Sequence, residues 1–226
     1  MYRKHPFVPE NYYHIYNRGI DKRIIFKSVY DYQRFVILLY IANSQTSIRL
    51  DDLIASHKNY EEIFEVERGD PLVSIGAWVL MSNHFHLILR EEVEGGISTF
   101  MKKLGTAYSM YFNIKYKRTG GLFGGPFKSK YIPEDSYLKH LFGYIHLNPL
   151  DIQFKGWEKL IDKKHPKEWK DFLDKYTDSS YLDYSGVERP EGNILNKSAF
   201  PEYFDKENPF ENFVDSYLSF EFTTKK

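Results

Sequence analysis

The chain has 226 residues, 31 Lys/Arg against 31 Asp/Glu, and no cysteine; that length suits one domain with additions, and disulfides and thiolate metal sites are excluded. No apolar run approaches the ~20 residues that span a bilayer, and Met1-Tyr2-Arg3-Lys4-His5-Pro6 has no apolar stretch behind it, so a soluble, cytoplasmic protein is expected. The neutral total hides an uneven spread: residues 101–150 carry Lys102, Lys103, Lys115, Lys117, Arg118, Lys128, Lys130 and Lys139 against Glu134 and Asp135, whereas 51–70 are mainly acidic.

Residues 12–18 are aromatic and partly alternating and end at Gly19, which predicts a first strand. Asp31 is read as the N-cap of a helix running to about Asn43, because Tyr32, Phe35, Val36, Leu38, Leu39 and Ala42 recur at helical spacing. Residues 44–70 are polar, acidic and weakly patterned and are expected to form a surface insertion with room for a short helix over 50–66. A strand over 72–80, a turn at Met81-Ser82-Asn83 and an antiparallel strand over 84–90 follow. Past Gly95-Gly96, the spacing of Ile97, Phe100, Met101, Leu104, Ala107, Tyr108 and Tyr111 predicts an amphipathic helix to about Lys117. The glycine-rich loop 120–126 lacks a following Gly-Lys-Ser/Thr and is not a nucleotide P-loop.

Residues 127–132 alternate as a fourth strand with Lys128 and Lys130 on one face. A helix then starts at Pro133-Glu134-Asp135, buries Leu138, Leu141, Phe142 and Ile145, and is expected to end at Asn148 because Pro149 follows. The order strand, helix, strand, strand, helix, strand, with a helix added, is an α+β, ferredoxin-like split βαβ arrangement with an antiparallel sheet. It defines a domain over 1–150 and an extension over 151–226. Short helical pieces are expected near 157–160 and 169–176, a capped turn at 178–184, and a loosely docked tail over 190–226.

His84-Phe85-His86 is the most chemical feature of the chain. On a strand the two imidazoles share one face while Phe85 points to the other. The pair reads either as half of a metal site or as one buried and one surface histidine, since zinc-type sites need three or four ligands. His140, Tyr144 and Asn148 lie at i, i+4, i+8 along one side of the last helix. Asn148 has a side-chain oxygen fit to ligate a metal or to cap the turn. Forty aromatic residues, 19 Tyr, 18 Phe and 3 Trp, interleave with the basic ones, as a surface for unpaired nucleotides requires.

Four words, Tyr13-His14-Ile15-Tyr16-Asn17-Arg18-Gly19, Met81-Ser82-Asn83-His84-Phe85-His86-Leu87, Leu122-Phe123 with Phe127-Lys128-Ser129, and Tyr144-Ile145-His146-Leu147-Asn148-Pro149, resemble in order the single-tyrosine HUH transposases, most closely the REP-associated tyrosine transposase group. The resemblance implies Tyr144 as a nucleophile toward single-stranded, hairpin-bearing DNA through a 5'-phosphotyrosine. It also implies His84, His86 and Asn148 as ligands of a divalent metal ion, Mg or Mn. His140 is a candidate acceptor for the phenol proton. Arg18, Lys128 and Lys130 are candidates for gripping DNA phosphates or, equally, members of a solvated charged face. The protein is expected to be a monomer or a homodimer, with Tyr144 acting in its own chain or in a partner's site; a non-catalytic nucleic-acid-binding regulator on the same fold is the alternative.

Overall fold

The computed structural model describes residues 6–56, 59–157, 167–204 and 209–219. Its centre is a four-stranded antiparallel sheet of β1 (Tyr12–Arg18), β2 (Val73–Met81), β3 (His84–Glu91) and β4 (Lys128–Ile132), in the spatial order β2-β3-β1-β4. The α+β, split βαβ expectation holds. Helices α1 (Val29–Ile41) and α4 (Gly96–Lys115) pack on one face of the sheet, and α5 (Asp135–Leu147) packs on the other.

Alternation sorts the side chains. Ile15, Trp78, Leu80, Phe85, Leu87 and Leu89 enter the core under α1 and α4, whereas Val79, Met81, Ile88 and Ile132 meet α5. The register of β2 slips between Ile75 and Ala77, so Gly76 sits at a bulge and Ile75 and Trp78 face the same core.

Several boundaries and contacts differ from expectation. Ser28, not Asp31, is the N-cap of α1; Asp31 is the third helical residue, and its Oδ2 accepts from the Ser28 and Lys27 amides in a capping box. Asp31 is fully buried because Lys115 (2.6 Å), Tyr111 and Tyr116 also satisfy it. The 44–70 segment holds two short helices, α2 (Leu50–Ala55) and α3 (Tyr60–Ile63), and is not merely decorative: Leu50, Ile63 and Phe64 are buried in the core beneath α1 and α4. Asn148 keeps right-handed helical backbone although it precedes proline, and so does Pro149, so α6 (Leu150–Gln153) follows α5 almost without a break. What ends α5 there is the missing amide of Pro149 rather than a change of direction.

The described part of the 190–226 tail is docked, not loose. Residues 178–180 bond along the outer edge of β2 (Leu80 N to Asp178 O, Ser180 N to Trp78 O, both 2.9 Å), and α8 (Tyr181–Tyr184) follows. Asn196 N reaches Ile75 O on the same edge. Phe200 lies over Gly76, and α9 (Phe210–Ser219) packs on α5, with the Tyr217 ring over Gly143. Sequence periodicity misses this because two glycines, which carry no apolar signal, make the room. Trp157, Leu147, Leu150, α7 (Lys167–Leu173) and Phe210 form a further cluster; of the helical piece expected over 157–160, residues 158–160 lie outside the described residues.

A methyl group on Gly143 would sit 2.2 Å from the Tyr217 ring. Gly143→Ala should therefore lower Tm by about 2–10 °C, the overpacking cost of about 1–3 kcal/mol exceeding the gain in helix propensity. A thermal melt that rises instead would show that α9 does not press on α5.

Candidate active site

The polar patch lies on the α5 face of the sheet, near the end of β3 that starts at the turn. Directly paired residues share a face, so the pairings Tyr16 with His86, Arg18 with His84, His14 with Ile88 and Lys130 with His14 line up one polar surface. His84 and His86 emerge there with ring centroids 5.1 Å apart, and Phe85 points into the opposite core at 2% exposure. From across the face, α5 brings the Tyr144 ring edge-on to His86 (5.6 Å, 89°) and near His14 (6.4 Å). One turn later Asn148 is buried, and its Oδ1 meets no hydrogen-bond donor among the described residues. Its amide is nonetheless close enough to His84 to raise that group's proton affinity.

The tautomer of His84 follows from its neighbours. Asn83 donates through its amide nitrogen to Lys22 O, which leaves Oδ1 facing His84 Nδ1 at 2.6 Å. An amide oxygen only accepts, so His84 Nδ1 carries the hydrogen and Nε2 keeps the lone pair. His86 Nδ1 lies 2.8 Å from Nε2 of His14, a ring buried to 8% exposure, stacked on His86 and tilted against Tyr16. His14 appears in the sequence only within a motif word. Its part in the site depends on the β1–β3 register, which one sequence does not display.

Burial lowers all three imidazole pKa values. His84 falls to about 4, helped by Arg18 and opposed by Asn148; His14 falls to about 4, helped by Lys130; His86 falls well below the usual value, helped by the other two rings. All three are neutral at pH 7, the state in which imidazole ligates metals. Among the described residues no group of three or more His, Cys, Asp or Glu side chains gathers as a metal cluster. A cation bound here would draw on two imidazoles and an amide oxygen from the chain, and would need further donors from outside it. The buried, unmet Asn148 oxygen fits that ligand set, and the mixed nitrogen and oxygen donors suit Mn more naturally than Mg.

Arg18, Lys128 and Lys130 are all solvent-exposed on this same surface, with Lys130 Nζ 4.5 Å from the Tyr137 ring. His140 lies toward α9, stacked on Tyr217 at 5.2 Å. The other histidine of α5, His146, faces Ser180 Oγ at 2.8 Å, but both are fully buried and Ser180 also bonds Trp78 backbone, so this pair ties the tail to α5 and is closed to substrate.

No protein-family model matches the chain, and no curated protein matches it. Among solved structures, the chain is similar to a REP-associated tyrosine transposase bound to a REP hairpin, at 14% identity and a TM-score of 0.47 over 88% of this chain and 96% of that one. It is also similar to the tRNA(His) guanylyltransferase of Saccharomyces cerevisiae, at 12% identity and a TM-score of 0.34 over 90% of this chain and 86% of that one. Scores this low leave the fold resting on the strand order itself. No helix among the described residues is long and apolar enough to cross a membrane.

The buried histidines make the fold acid-sensitive in a definite window. His14 and His86 are 8% exposed, His146 is fully buried, and their folded pKa values lie below the unfolded ~6.5, so the unfolded chain binds more protons between the two values. Stability from these groups is complete above pH ~6.5 and is lost as pH falls toward 4. Urea unfolding should give a level free energy above pH 7, then a loss of up to about 1.4 kcal/mol per pH unit for each group. A level profile from pH 7 to 5 contradicts this.

Proposed function

We propose that this chain is a metal-dependent single-stranded DNA transesterase, with Tyr144 as nucleophile and His84, His86 and Asn148 holding a divalent cation. The observation that carries the reading is the Tyr144 ring edge-on to His86, on one face with His84 and with the unmet Asn148 oxygen. The motif resemblance supports it from the sequence side. Arg18, Lys128 and Lys130, exposed around the patch, supply the positive charge that a phosphate backbone requires.

In the reaction, Tyr144 Oη loses its proton and attacks the phosphorus of a phosphodiester. A bond forms from the phenolic oxygen to phosphorus, and the bond from phosphorus to the 3' oxygen breaks. That oxygen leaves with the electron pair and takes up a proton, giving a free 3'-hydroxyl and a 5'-phosphotyrosine. One phosphodiester replaces another, so a 3'-hydroxyl can reverse the step without ATP. A bound Mn or Mg ion supplies charge neutralisation to the phosphate oxygens. The chain's own residues orient the groups: β3 fixes the imidazoles, α5 fixes the phenol one turn before Asn148, and burial keeps the rings neutral. A neutral phenol is a weak nucleophile, so loss of its proton is coupled to attack.

Incubation with a single-stranded hairpin oligonucleotide and Mn, followed by denaturing electrophoresis, should give a covalent protein–DNA adduct that Tyr144→Phe abolishes and His86→Ala reduces at least tenfold. Binding with no adduct under Mn or Mg overturns the reading in favour of a non-catalytic nucleic-acid-binding protein. Lys128→Ala with Lys130→Ala should weaken binding for all sequences alike and flatten the slope of log K against log salt by about 1 to 2. An unchanged slope means that these lysines do not touch phosphate.

A further inference from the structure

We propose that His14 is a positioning residue for this site: its Nε2 accepts the Nδ1 hydrogen of His86 and thereby fixes His86 in the tautomer whose Nε2 keeps its lone pair. The two nitrogens are 2.8 Å apart, and both rings are 8% exposed, so water cannot replace either partner cheaply. The contact is built by the sheet. His14 pairs directly with Ile88 and Tyr16 pairs with His86, which makes His14 and His86 diagonal neighbours on one face of β1 and β3. Tyr16 stacks on His86 at 5.7 Å and lies tilted against His14 at 4.9 Å, and so limits the rotation of both rings.

The direction of this hydrogen bond decides what His86 can do. If His14 donated, neutral His86 would carry its hydrogen on Nε2 and have no lone pair there. The neighbouring ligand geometry favours the opposite direction. His84, two residues away, has its Nδ1 hydrogen taken by Asn83, so an outer partner already fixes one ring of the pair with a free Nε2. Asn83 and His14 are then equivalent outer partners, each holding the Nδ1 hydrogen of one imidazole. His14 touches no reacting atom in this scheme and acts only through His86.

The metal arm of the test rests on the proposed function, but the tautomer arm does not. Long-range 15N–1H correlation spectra of the metal-free protein at pH 7.5 should show His86 as the Nδ1–H form. His14→Phe, which fills the same space and can still stack on Tyr16, should shift His86 largely to the Nε2–H form and weaken Mn binding, read by electron paramagnetic resonance titration, by 10- to 100-fold. His14→Gln, whose amide oxygen can accept the same hydrogen, should restore the Nδ1–H form and bring Mn affinity to within about threefold of the original. A His86 Nε2–H signal in the unsubstituted protein, or His14→Phe spectra that leave the tautomer unchanged, overturns the inference. If the tautomer shifts as expected while no variant binds Mn, the positioning contact stands and the metal reading fails.

Discussion

The register of β3 between β1 and β2 is the constraint on which the rest depends. Side chains alternate along it, so Phe85, Leu87 and Leu89 fill the core under α1 and α4, while His84, His86 and Ile88 face α5. A slip of one residue would drive two imidazoles into an apolar core and expose the phenylalanine. The apolar half of the strand therefore fixes the polar half. The cost of burying three neutral rings is offset by the hydrogen bonds that Asn83 and His14 provide.

The C-terminal segment completes the molecule on the far side of α5. It pairs along β2 through residues 178–180 and lays Phe200 into the space over Gly76. It also sends α9 across Gly143. Arg189 locks the turn by holding Asp183 with two bonds and reaching Thr177 O. Helix α5 is consequently clamped between sheet and tail, which holds Tyr144 and Asn148 in place relative to the histidine pair. In the proposed reaction, a phenol that meets a phosphate in line gains from being held on a rigid element.

The sheet, its helices and the apolar stripe of α5 were legible because β1 partly alternates, β3 carries an unbroken apolar run over Leu87–Leu89, and α4 and α5 repeat at helical spacing. Tyr144, His84, His86 and Asn148 could be picked out as chemical residue types, and it was the motif resemblance, not spacing, that grouped them; β3 carries the two histidines, and α5 and its C-cap carry Tyr144 and Asn148. His14 was not legible as part of the site, since its contact is long-range and set by pairing register. The bulge at Gly76 was hidden too, because it reverses alternation inside a uniformly apolar strand. The docked tail looked loose in sequence because its partners, Gly76 and Gly143, have no side chains to reveal a contact. Asn148 followed by Pro149 suggested a break in direction; the helical backbone carries on, and only a hydrogen bond is lost.

The two margins of the sheet are treated differently. On the β2 side residues 178–180 bridge to Trp78–Leu80, so the backbone groups there are already engaged. On the β4 side no further strand pairs among the described residues, and the margin carries exposed Lys128 and Lys130. Two copies joining there edge to edge would crowd four ammonium groups together, so charge opposes fibre-like growth of the sheet in that direction. The same lysines that suit an anionic strand thus also discourage the protein from zipping onto itself.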